Sequence, residues 1–313
     1  NIAGSTKSVY DLTFSFNASF HSAGGHLSAS VIAVFNGRYQ AKVSTNTLLV
    51  RQLSPNFPKS FLGRLTGKFN IAGSVNSFED VDLSGNALIN SGSGRITASN
   101  ILVNNGKYRA VVGVNQLRLR ELAPQLPDIL AGGLTSSFNI ASNIAGSVNS
   151  FEDLTASGNA AINAAGGKIS ASKIQVKNGR YQAVVNAADV ELNKLNQRLR
   201  GKFAGNLQVT GSLRNPGLAD TKANGKVQFS QGIPGFEKPV NAVIAWTGKK
   251  LRIQRATAPG LDISGDIFAN AKGAGIPQIT QLDLNIKASN FDLQQLPVDI
   301  SNAVNLAGKV DFD

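Results

Sequence analysis

The chain has 313 residues, a formal net charge of +12, 42% hydrophobic and 16% charged residues, 32 Gly, 31 Asn, two His, and no Cys or Met. An ordinary soluble domain carries about 25% charged residues, so the polar part of this protein is mostly uncharged. Abundant Asn, Gly and Ser disfavour helix interiors and argue against a coiled coil, while the lack of Cys excludes disulfides, zinc–thiolate sites and thiol nucleophiles.

In chain order, the first residues to single out are His21 and His26. Two histidines without flanking carboxylates do not make a metal site, so they are expected to be solvated. Asn36-Gly37 then marks a hairpin turn. Leu65, Phe69, Ile71 and Val75 share one parity, with Thr66, Lys68, Asn70 and Ser74 on the other. That alternation predicts a strand with one apolar face. Ile96 and Ala98 are out of phase with Ile101 and Val103, and Ile169 and Ala171 with Ile174 and Val176. A recurring one-residue phase shift predicts a β-bulge, which bends a sheet. Leu134, Phe138, Ile140, Ile144 and Val148 form the next apolar series, followed by Leu207, Val209 and Leu213. Ile244 with Trp246, and Leu282, Leu284 and Ile286, continue the same alternation. The Leu-x-x-Leu-x-Pro pieces, such as Leu119 to Leu130, are interrupted by Pro124 and Pro127. They allow a helical turn or two and are expected to be plugs or connectors.

Internal repeats organise these elements. Asn36-Gly37-Arg38-Tyr39-Gln40-Ala41 recurs at Asn105 to Ala110 and at Asn178 to Ala183, 69 and then 73 residues later. Asn70 to Asp80 returns letter for letter at Asn143 to Asp153. The longer second step comes from four residues duplicated in Asn139-Ile140-Ala141-Ser142-Asn143-Ile144-Ala145-Gly146. An even insertion leaves every later side chain on its own face. We divide the chain into repeats at approximately 1–64, 65–133, 134–206 and 207–313, all in one elongated segment. The turn spacing predicts an all-β fold with roughly 20–25 strands. A single continuous sheet of that number would run roughly 100 Å. With a regular bend it becomes an elongated curved β-sheet, a trough with short helical connectors. The missing Met, and an ending inside the pattern at Val310-Asp311-Phe312-Asp313, are expected of an internal slice of a longer protein. No apolar run approaches the roughly 20 residues of a membrane-spanning helix.

No nucleophile, phosphate-loop or dinucleotide pattern is present, and we expect neither an enzyme, nor a metal, nor a cofactor. Glu79-Asp80 and Glu152-Asp153 occupy equivalent repeat positions, which suits a strand-edge feature better than a catalytic pair. Net charge invites a nucleic-acid partner. The cations are scattered, however, aromatics are 7%, and each repeated tyrosine (Tyr39, Tyr108, Tyr181) follows a hairpin turn. What remains is the apolar stripe: Leu65, Phe69, Ile71, Val75, Leu134, Phe138, Ile140, Ile144, Val148, Leu207, Val209, Leu213, Ile244, Trp246, Leu282, Leu284 and Ile286. In a closed sandwich it is core; in one open curved sheet it lines a groove suited to phospholipid acyl chains, held by non-directional burial. Three other readings use the same pattern. An exported structural or adhesive β-solenoid repeats in shorter coils. A chaperone groove for outer-membrane protein assembly has the same surface. An outer-membrane barrel needs aromatic girdles, which one Trp and four Tyr do not supply.

Gly211-Ser212-Leu213-Arg214-Asn215-Pro216-Gly217, then Gly225-Lys226-Val227-Gln228-Phe229, and later Leu261-Asp262-Ile263-Ser264-Gly265 resemble the TamB-type (DUF490) translocation-and-assembly-module family. Its cyanobacterial and plastid-envelope relatives are included in the likeness. Leu119 to Phe138 fits the same layout. The resemblance implies a β-taco, or repeating β-groove, that holds lipid in a bridge-like periplasmic protein. It implies an inner-membrane anchor outside this segment and an outer-membrane Omp85-type barrel as partner. It also implies roles in outer-membrane biogenesis, protein secretion and phospholipid transport between the membranes. The near-perfect Asn/Gly/Ser-rich repeats up to about residue 190 depart from the family's usual form.

Overall fold

The computed structural model of the chain describes residues 2–3, 13–22, 24–53, 61–75, 77–104, 106–118, 121, 133–143, 154–195, 200–214, 217–230, 238–270, 278–292 and 309–312. Almost all of them are in β-strands, as the alternation predicts. The expected strand stretch that includes Ile144 and Val148 lies partly outside the described residues, as do the connector pieces Leu119–Leu130 and Leu293–Pro297.

The chain forms two compact units, Asn1–Ala160 with Val176–Gly179, and Ala161–Gln175 with Arg180–Asp313. In the first, β1 (Ile2–Ala3), β2 (Thr13–Ser22), β3 (Gly25–Phe35), β4 (Arg38–Leu49), β5 (Arg64–Ser74), β6 (Ser77–Asn90), β7 (Arg95–Asn104), β8 (Lys107–Arg118) and β9 (Gly133–Asn143) run in order. Each pairs antiparallel with the next. Next come β10 (Thr155–Ala164) and β11 (Gly167–Lys177), where the units divide. In the second unit β12 (Arg180–Glu191), β13 (Lys202–Ser212), β14 (Lys222–Phe229), β15 (Val240–Trp246), β16 (Lys250–Ala258), β17 (Leu261–Asn270), β18 (Gln278–Asp292) and β19 (Lys309–Phe312) form a second antiparallel meander. One-turn helices at Val50–Leu53 and Leu192–Leu195 follow β4 and β12.

The repeat is a repeat of bulges. Thr47, Gln116 and Asp189 all take left-handed backbone angles (φ 58, 55 and 55) at the ends of β4, β8 and β12, at the same 69- and 73-residue offsets as the sequence motif. The register slips there, at Thr45/Leu48, Val114/Leu117 and Ala187/Val190. An extra residue in one strand turns the next side chain inward, and Leu48, Leu117 and Val190 are the buried result (4%, 0% and 3% exposed). The neighbouring strand meets each bulge with glycine. A Cβ on Gly25, Gly94 or Gly167 would collide with the backbone oxygen of Asn46, Asn115 or Ala188. The phase shifts read from the sequence are bulges of the same kind: Asn100 and Lys173 have φ 52 and 53, and the β7–β8 register slips at Ser99/Leu102.

Bulges increase local twist and curve a sheet. In the second unit Val240 on β15 packs against Ala288 on β18. Three strand spacings would hold them about 14 Å apart in a flat sheet, so the sheet curls toward its apolar side.

Candidate functional site

Register places the apolar residues in rows that run across the strands. In the first unit Leu48, Leu65, Ile89, Ile96 and Val114 are successive partners. Beside them runs a row of small side chains: Thr45, Gly67, Ala87, Ala98 and Val112. Beyond it come Val43, Phe69, Gly85 and Ile101, and then Ala41, Ile71, Leu83 and Val103. Partners in an antiparallel pair share a face, so all four rows lie on one side. The Phe69 ring covers Gly67 and Gly85, where a Cβ would meet it at 2.6 and 2.7 Å.

The two long edges of this face are finished differently. At the edge where the connectors enter, Val50 and Phe61 (5% and 0% exposed) join Leu117 and pack on Leu65, Ile89, Ile96 and Val114. Val50 and Phe61 therefore plug this edge. At the hairpin edge, Tyr39 lies over Gly73, its hydroxyl 2.7 Å from where a Cβ would be. Tyr181 does the same over Gly211 and shares a hydrogen bond with Thr221 (Oη to Oγ1, 2.9 Å).

The second unit repeats the arrangement. Leu207, Gly225, Ile244, Ile253, Gly265 and Leu284 are successive partners. So are Val209, Ala223, Trp246, Leu251, Ile267 and Leu282. The Trp246 indole N–H donates to the Leu218 carbonyl at 2.8 Å, which ties the β13–β14 connector down beside this face.

Of the residues expected to line a groove, Leu65, Phe69, Ile71, Leu207, Val209, Ile244, Trp246 and Leu284 are half-buried on these faces, and Leu282 and Ile286 are exposed there. Leu134, Phe138 and Ile140 occupy the matching register of β9. Val75 lies in the β5–β6 turn, 44% exposed, and Leu213 in the bend after β13. Ile144 and Val148 lie outside the described residues. Sequence reasoning missed the plug residues Val50 and Phe61, although their apolar character within a connector was the available signal. It also missed Ile253, which sits one strand over from Ile244.

The apolar rows contain no charged residue, and coverage is partial. Among the described residues twelve apolar side chains are buried, while most of the strand faces are only half covered. On β18, Ile279, Leu282 and Ile286 are 64%, 59% and 38% exposed.

Charge sits on the opposite face. Asp266 accepts from Lys250 Nζ at 2.7 Å and from Arg252 Nε at 3.0 Å. Hydrogen bonds from Arg252 and then Lys250 pull its carboxyl down to about 2. Arg255 grips Asp262 through Nε and a terminal nitrogen at 3.0 and 2.8 Å, which lowers that carboxyl too. A hollow of about 390 Å³ between Gln40, Lys42, Asn70, Asp82, Ser84 and Asn104 lies on the polar side of the first unit. His21 and His26 face each other, Nε2 to Nδ1 at 3.2 Å. Among the described residues no three His, Cys, Asp or Glu converge as metal ligands, and no helix is long and apolar enough to cross a membrane. No protein-family model, curated protein or solved structure matches the chain.

Proposed function

We propose that the chain is a non-enzymatic segment of a bridge-like periplasmic protein whose apolar groove carries phospholipid between the inner and outer membranes and so serves outer-membrane biogenesis. The observation that carries this reading is an uncharged apolar face, continuous across consecutive strands within each unit and mostly half-buried among the described residues. Burial at about 25 cal/mol per Å² rewards any acyl chain that completes the cover. It does so without a unique polar contact, so a chain can move from row to row. The TamB-type resemblance supports the same reading and supplies the periplasmic setting, the inner-membrane anchor and the Omp85-type barrel partner.

Organic extraction and native mass spectrometry of the purified chain test it. Phospholipid should co-purify, and delipidated protein should take up a fluorescent phospholipid from donor vesicles. A chain that purifies without lipid and refuses the probe overturns the reading.

A further inference from the structure

The connector edge of the first unit carries a feature that lipid carriage on the apolar face does not use. Arg51 on the one-turn helix, Arg64 at the start of β5, Arg95 at the start of β7 and Arg118 at the end of β8 are all exposed. Arg64 pairs with Asn90, and Asn90 pairs with Arg95, so these two arginines share a row about 10 Å apart. The Arg118 N–H donates to Ser93 Oγ at 3.0 Å, two residues before Arg95. The Val50 N–H donates to the Gly63 carbonyl at 3.0 Å, which sets Arg51 beside the entry to Arg64.

None of the four guanidiniums belongs to an ion pair of the described residues. Glu121, just past Arg118, is acidic but half-buried. The hairpin edge differs, because there Arg38 and Lys107 alternate with Asp80 and Asp82. Like charges gathered with no ion-pair partner among the described residues repel, and an external anion relieves that repulsion. Two residues before Arg64, Leu62 is 54% exposed, next to the fully buried Phe61.

We propose that this edge docks on an anionic phospholipid bilayer, with the four guanidiniums on lipid phosphates and Leu62 in the headgroup boundary. The planar guanidinium fork matches phosphate oxygens bidentately. An apolar side chain among cations is the composition of an interfacial contact. Among the described residues this edge offers a nucleic acid no stacking platform, since Phe61 is buried.

Sedimentation with vesicles of phosphatidylcholine, with and without phosphatidylglycerol, is the test. Binding should require phosphatidylglycerol and weaken with salt. Each Arg→Gln change should weaken it about fivefold, and the quadruple R51Q/R64Q/R95Q/R118Q variant several hundredfold. Leu62→Asp should weaken it as well. The control R38Q/K42Q/K107Q/R109Q removes equal charge from elsewhere on the same unit and should keep most of the affinity. Equal loss in both quadruple variants would mean unspecific attraction and overturn the proposal. So would vesicle binding that survives in the arginine-edge variant while binding to a single-stranded oligonucleotide is lost. Extractable lipid should be unchanged in that variant, which separates failure of the docking edge from failure of the groove.

Discussion

Leu117 is fully enclosed by Val50, Phe61 and the first apolar row. Truncation to Ala leaves a cavity and should cost about 2–5 kcal/mol, read as a lower urea midpoint at unchanged slope. Asp266 on the opposite face answers to pH. Its folded value of about 2 lies below the ordinary aspartate value of about 3.9. The unfolded chain therefore binds the proton first, and the contribution of the Lys250–Asp266–Arg252 cluster is complete above that ordinary value. It is lost as pH falls through the window toward 2. Urea unfolding of wild type should lose stability across that window more steeply than Asp266→Asn, and parallel profiles for the two proteins would refute this account.

At the level of the element, the bulge is legible in some strands and hidden in others. Alternation reverses phase at Asn100 and Lys173, so a reader of the sequence sees those bends. It is silent at Thr47, Gln116 and Asp189. There the extra residue is polar and the next apolar residue resumes the inward face, so the bulge resembles an ordinary loop end. The glycine opposite is equally ambiguous, because Gly25, Gly94 and Gly167 read as hairpin punctuation until the facing carbonyls are placed. The connectors were legible as short and Pro-broken. That Val50 and Phe61 seal an edge depends on a packing partner, Leu117, more than fifty residues away, and no local period encodes it. The bulge makes its own prediction. A β-branched residue at φ 58 is strained, and Asn tolerates that region better. Thr47→Asn should therefore raise stability by about 0.5–1 kcal/mol, since the Thr47 hydroxyl bonds only its neighbour's carbonyl, Asn46 O, at 2.8 Å. Thermal melts of the two proteins decide it, and a lower melting temperature in Thr47→Asn would contradict the bulge geometry.

Across the whole molecule the question is what completes a half-covered apolar face. A protein core must be covered, because each uncovered side chain forfeits its burial energy. Here the first unit plugs one edge with Val50 and Phe61. The second curls until Val240 reaches Ala288, and still leaves Leu282 and Ile286 open. Those two positions separate a carrier face from an unfinished core. Fold stability draws less on side chains that are partly in solvent, and Leu282 and Ile286 are 59% and 38% exposed, so Leu282→Asp/Ile286→Asp should still fold, with a urea midpoint only slightly lowered. An acyl chain lying on that row would meet two carboxylates, which are costly to desolvate. Phospholipid recovered per mole of protein should then fall, while Leu117→Ala loses stability but keeps lipid in whatever fraction remains folded. A doubly substituted protein that retains its lipid would place the cargo elsewhere, and one that unfolds would make these rows ordinary core.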